Sequence, residues 1–208
     1  MFTKTLSKNT EKALALLGNS HLLDKAYLAG GTACALHIGH RISIDLDFFT
    51  PQEFNAQELI QALSKFGKFE LDQQSWGTVL GLFASVKFSI FVYQYPVLFP
   101  THSFEGVQVL DLRDIAAMKI DAINTRGIKR DFVDLYFICQ QSIALKDALS
   151  YYGKKYGTLA SNRLHIQKSL AYFVDAEITQ MPKMLNRITW KKIKSYFEHE
   201  TKKLAMQH

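Results

Sequence analysis

One stretch, residues 25–50, constrains this chain more than any other. KAYLAGGTACALHIGHRISIDLDFFT reads as a strand, a double-glycine turn, a short helix and a strand carrying two carboxylates. In its second half Ile42, Ile44, Leu46 and Phe48 alternate with Arg41, Ser43, Asp45 and Asp47, the two-residue period of a strand with one buried face. Asp45 and Asp47 are therefore expected on the same, wetter face. At roughly 3.4 Å per residue their Cα atoms stand about 7 Å apart, within reach of a common divalent cation or a pair of them. In the first half, Gly30 and Gly31 permit backbone conformations and close approach that a Cβ forbids, and Thr32 is placed to cap a helix over 33–38. A glycine turn opening a helix gathers free N–H groups and the positive end of the helix dipole, which together bind anions. Phosphate on one side and carboxylate-held Mg²⁺ on the other is what a nucleoside triphosphate (NTP) requires. Alone, a Gly-Gly pair is a turn and an Asp-x-Asp is a solvated strand edge. Joined by a helix of this length, they point to a nucleotide site.

Gly30-Gly31-Thr32 followed by Asp45-Leu46-Asp47-Phe48 resembles the nucleotidyltransferase superfamily, and within it the AbiEii/AbiGii toxin family, the type IV toxin nucleotidyltransferases. The resemblance continues through DIAAMK at 114–119, KRDFVDLY at 129–136 and YFVDAE at 172–177, and so covers most of the chain. It implies an α/β (α+β) fold, a mixed sheet flanked by helices with a helical C-terminal part. It also implies a metal-dependent enzyme that moves a nucleotidyl group from an NTP to an acceptor hydroxyl, with RNA, tRNA included, as acceptor. Such an enzyme acts as a toxin of a toxin–antitoxin or phage-defence system, with a cognate antitoxin as partner. In that scheme Asp45 and Asp47 hold Mg²⁺ or Mn²⁺, Gly30, Gly31 and Thr32 clasp the triphosphate, and Lys119 contacts its phosphates.

The rest of the chain fits a protein of this kind. With 208 residues, 48% hydrophobic and 21% charged, it can bury a real core and belongs to no disorder class. No apolar run is long enough to span a bilayer, so a cytoplasmic protein is expected. The halves differ in charge: residues 1–110 hold 8 Lys/Arg against 9 Asp/Glu, and residues 111–208 hold 17 against 10. A basic second half suits a nucleic-acid backbone and equally a solvated helical surface. The expected division is a core over 1–110 and a mainly helical region over 111–208, possible as one continuous domain.

In chain order, a first helix is expected over about 10–17 with Gly18-Asn19 as its stop, and Thr50-Pro51 is read as the start of a helix ending at Gly67. Strands follow at 68–72, 78–84 and 86–95, the last alternating Val86, Phe88, Ile90 and Val92 with Lys87, Ser89, Phe91 and Tyr93. In the superfamily a third carboxylate commonly sits on such a neighbouring strand. Lys87 and Ser89 occupy the candidate positions here, so the third acid is missing and the attacking hydroxyl lacks an obvious base. This departure motivates a rival reading, a catalytically weakened nucleotide-binding module acting through a partner protein.

A short strand at Val107 leads to a helix over 112–125, on which Lys119 interrupts an otherwise apolar stripe of Leu112, Ile115, Ala122 and, at its end, Arg126. Spacing alone favours a lysine snorkelling to the edge, whereas the resemblance sets it at the phosphates. The next helix, from Arg130 to about 140, is apolar nearly all round, so Asp131 and Asp134 need partners; Asp134 is read as orienting Lys119 or Arg130, with a role as the missing base as the alternative. Helices are expected at 145–156, 165–173 and 190–204. His37 and His40 flank Gly39 at a helix end and are read as capping its last carbonyls.

Overall fold

The computed structural model describes residues 1–157 and 159–206. They form two compact units, Met1–Asp111 and Leu112–His208. Among the described residues no helix is long and apolar enough to cross a membrane.

The first unit is built on a seven-stranded mixed sheet. Its elements in order are α1 (Lys8–Ser20), β1 (Tyr27–Leu28), α2 (Gly30–Ile38), β2 (Leu46–Thr50), α3 (Ala56–Phe66), β3 (Phe69–Ser75), β4 (Thr78–Phe83), β5 (Val86–Val92), β6 (His102–Phe104) and β7 (Val107–Val109). The strand order is β3-β4-β5-β2-β1-β7-β6, with β2–β5 and β1–β7 parallel and the other pairs antiparallel. Alternation sorts the side chains onto two faces. Leu28, Leu46, Phe48, Val79, Phe83, Phe88, Ile90 and Val109 are buried on the face covered by α1 and α3. Registered partners share a face, so Tyr27, Asp47, Phe49, Ser89 and Phe91 lie on the other. There the rings of Tyr27 and Phe49 stack at 6.2 Å, and Phe49 meets Phe91 at 5.4 Å and Tyr93 at 5.2 Å.

Several elements depart from the sequence reading, each because a tertiary contact outranks a local signal. The segment 41–45 alternates like a strand but joins no long ladder: Ser43 N–H donates to Thr5 O (2.9 Å), Thr10 Oγ1 donates to Ile44 O (3.4 Å), and β2 begins only at Leu46. Arg41 and Ser43 are consequently buried while Ile44 is 56% exposed, the reverse of the expected faces. Thr50 ends β2 rather than capping α3, whose cap is Asn55, with Oδ1 accepting from Gln57 N and Glu58 N. β6 carries no apolar run and was not foreseen. His37 Nε2 donates to Leu110 O (2.9 Å) instead of capping α2, which Gly39 closes at φ +76°. Burial outweighs that bond and lowers the His37 pKa below its ordinary value.

Gly18 does not stop α1, which continues to Ser20. A Cβ at Gly18 would lie 1.9 Å from Glu105 O, in the turn joining β6 to β7. A Gly18→Ala variant is therefore expected to lose about 1–3 kcal/mol through displaced backbone, despite alanine's better helix propensity, and urea unfolding measures it. A gain in stability would show that the turn yields freely.

The second unit is helical: α4 (Leu112–Thr125), α5 (Lys129–Gln141), α6 (Leu145–Tyr156), α7 (Leu159–Leu170), α8 (Val174–Ile178) and α9 (Trp190–Ala205). The ring of Phe132 packs against Phe173, Trp190 and Phe197 at 5.2–5.8 Å, joining α5 to α9. Lys155 Nζ meets Asp114 Oδ1 at 2.8 Å with both side chains fully buried, which ties α6 to α4. The predicted helix at 165–173 is found as the longer α7, with α8 starting beyond it.

Candidate active site

At the start of α2 the chain brings a helix N-terminus and a carboxylate together. Ala29 N–H donates to Asp47 O (2.9 Å), which lashes the residue before α2 to β2. Gly30 then turns at φ +64°, and a Cβ there would sit 2.9 Å from Asp47 Oδ2. The Asp47 carboxylate thus lies against the glycine that opens the helix, a closeness only glycine allows. Its other oxygen, Oδ1, accepts a short 2.5 Å hydrogen bond from Ser89 Oγ, whose residue pairs in register with Asp47 across the parallel β2–β5 ladder.

Gly31 has a different neighbour. A Cβ at this position would meet Arg41 Nη2 at 2.2 Å. Arg41 is 5% exposed and its Nη1 donates to Ile42 O (3.1 Å). Thr32 is not the cap it was expected to be, since α2 begins at Gly30 with Ala29 preceding it and no side chain capping. Its hydroxyl instead bonds Asp45 O and lies 2.9 Å from Ser43 Oγ. Thr32 therefore fixes the backbone that carries Asp45 to the first turn of α2. Asp45 itself precedes β2 and is half-buried.

Two hard carboxylates suit Mg²⁺ or Mn²⁺, and half-burial leaves such an ion the waters it keeps. The donor set therefore fits a divalent cation. Arg41 and Ser43 are candidates that sequence reasoning passed over. The alternation had already set both in line with the acids, and a basic residue in that line was the usable signal.

In the second unit Lys119 is 4% exposed. Its Nζ lies 2.9 Å from Asp131 Oδ1 and 2.6 Å from Asp134 Oδ2, so it does not snorkel. Arg126 adds Nε to Asp131 Oδ2 (2.8 Å) and Nη2 to Asp131 Oδ1 (3.0 Å). Arg130, one residue before Asp131, is exposed. Any phosphate that engages Lys119 must share it with two carboxylates. Burial alone would raise the Asp131 pKa, but Lys119 and Arg126 outweigh it and hold the carboxyl below its ordinary value. A depressed acid contributes stability that is complete above the unfolded value of 3.8 and is lost as pH falls through the lower folded value. Urea unfolding of the wild type and Asp131→Asn is thus expected to differ at pH 6 and to converge as the pH falls below the lowered folded value. A gap that persisted in acid would contradict the ion-pair account.

Known proteins resemble this chain along most of its length. The family model described as nucleotidyl transferase AbiEii toxin, type IV TA system, matches residues 12–206. The uncharacterised protein aq_aa25 of Aquifex aeolicus (strain VF5) is 33% identical over 204 residues, covering 96% of this chain and 97% of that protein. Among solved structures, MenT4, a nucleotidyltransferase toxin of Mycobacterium tuberculosis, superposes with a TM-score of 0.58 at 14% identity, over 94% of this chain and 84% of its own. JHP933 of Helicobacter pylori gives 0.51 at 18% identity, over 98% and 100%.

Proposed function

This chain belongs to the AbiEii nucleotidyl transferase toxin family of type IV toxin–antitoxin systems, and from that premise we propose that it transfers a nucleoside monophosphate from an NTP to a hydroxyl of RNA in the cytoplasm, restrained by a cognate antitoxin. The observation that carries this reading is the contact of the Asp47 carboxylate with Gly30 at the opening of α2. A metal-binding acid and an anion-binding helix end adjoin there, as a metal–triphosphate demands.

In the proposed reaction Asp45 and Asp47 hold the divalent ion, which when bound neutralises triphosphate charge and polarises the phosphorus. The first-turn N–H groups of α2 hold phosphate oxygens, and Arg41 and Thr32 keep Gly31 and Asp45 in place. Lys119 is proposed, on family resemblance alone, as a further cation toward the phosphates. The acceptor oxygen bonds to the α-phosphorus, the bond to the β-phosphate oxygen breaks, and pyrophosphate leaves. The hydroxyl proton passes to water, because among the described residues no carboxylate pairs with Asp47 across the β2–β5 ladder. Ser89 stands there, and its O–H is already donated to Asp47.

That last contact favours the second reading, a catalytically weakened nucleotide-binding module that acts through a partner protein. Incubation with each labelled NTP and total RNA, with and without EDTA, separates the two. Label in RNA that EDTA abolishes is the expected result. Magnesium–NTP binding by calorimetry, with no RNA labelled by any of the four, would favour the binding module.

A further inference from the structure

The second unit contains a cavity of about 320 Å³. It is lined by Asn124, Arg126, His165, Lys168, Tyr172 and Asp175, with Gly127 at φ +55° beneath Asp175. Ser169 Oγ donates to Asn124 Oδ1 (2.9 Å), which closes the wall between α4 and α7. The size is at the lower end for small-molecule pockets and admits one nucleotide rather than a duplex. Two cations and an imidazole face one carboxylate, so the lining favours an anion. Tyr172, 53% exposed, presents a ring on which a base can stack.

Arg126 gives the cavity a connection inward. It is 51% exposed by its side chain yet grips Asp131 with two N–H groups, and Asp131 Oδ1 in turn accepts from Lys119 Nζ. We propose that this cavity binds a single unstacked nucleotide, its phosphate on Arg126 and Lys168 and its base against Tyr172, and that occupancy draws Arg126 partly from Asp131 and so tightens the hold of Asp131 on Lys119. The binding does not depend on the transfer reading, whereas the meaning of the Lys119 response rests on it. The same chemistry is offered by a free mononucleotide acting as an effector and by an exposed nucleotide of an RNA acceptor.

Backbone and lysine-ammonium NMR on the full chain tests both. The probes are inorganic phosphate, 5′-AMP and a single-stranded RNA nonamer. The expected result is saturable shifts at amides 124–127 and 168–172, with affinity reduced about tenfold in Lys168→Glu and about fivefold or more in Tyr172→Ala. Both residues are exposed, and circular dichroism confirms that the variants fold. Saturation by 5′-AMP supports the effector source, and saturation by the RNA alone supports the acceptor source. Silence at those amides with all three probes, or unchanged affinity in Lys168→Glu, overturns the site. Filling of the cavity with no movement of the Lys119 or Asp131 signals overturns the relay. In the Asp45→Ala variant the shifts at amides 124–127 and 168–172 should titrate as in the wild type, so loss of transfer and loss of this site are separately visible.

Discussion

An Asp47→Asn variant is expected to fold like the wild type and to lose nucleotidyl transfer by about 10²–10³-fold or more. Asparagine keeps an Oδ1 that can accept the Ser89 hydroxyl and the same volume against Gly30. What it removes is one negative charge, and with it the hard ligand that a divalent ion prefers. Asp47 is only half-buried, so stability is expected to move within about 0.5–1 kcal/mol, as for other sites without a buried ion pair. Thermal unfolding checks the first part, and the labelled-NTP assay at saturating magnesium checks the second. Transfer retained within a few-fold would remove Asp47 from the metal site.

The second large effect concerns stability. Lys119→Met is expected to cost about 3–5 kcal/mol, because it takes away the cation that two fully buried carboxylates share. Methionine matches the aliphatic stem, so packing loss contributes little. The double variant Lys119→Met/Asp134→Asn should recover a large part of the loss, since it also removes one of the two charges left behind. Urea unfolding of the wild type, Lys119→Met, Asp134→Asn and the double variant yields the coupling directly. A Lys119→Met change below about 1 kcal/mol would mean that Asp131 and Asp134 do not rely on it.

The residues that misled and those that informed differ in a physical way. Val86 to Val92 could be read because hydrophobic alternation and the ladder agree there, and residues 145–156 because Gly157 closes α6 in the left-handed region at φ +67°. The family motifs were legible for the same reason, as short contiguous runs: the glycine turn, the acids and the lysine. What a single sequence could not display is the approach of distant backbone. Gly18 looked like a stop and is a seat for the Glu105 turn; residues 41–45 looked like a strand and are held instead by Thr5, Thr10 and Thr32. The role of Thr32 changed with them, from helix cap to anchor for Asp45. Lys119 illustrates the limit from the other side. Its stripe position showed that it must be either at an edge or paired, and only coordinates could supply Asp131 and Asp134 as the pair.

The central claim is that Asp45, Asp47 and the first turn of α2 form one metal–nucleotide site. Its most direct test is a crystal of the full chain grown with Mn²⁺ and a non-hydrolysable NTP, measured for anomalous scattering. The account predicts a manganese peak beside Asp45 and Asp47, with the triphosphate against Gly30 and Gly31. A nucleotide bound elsewhere, or manganese away from both acids, would contradict it.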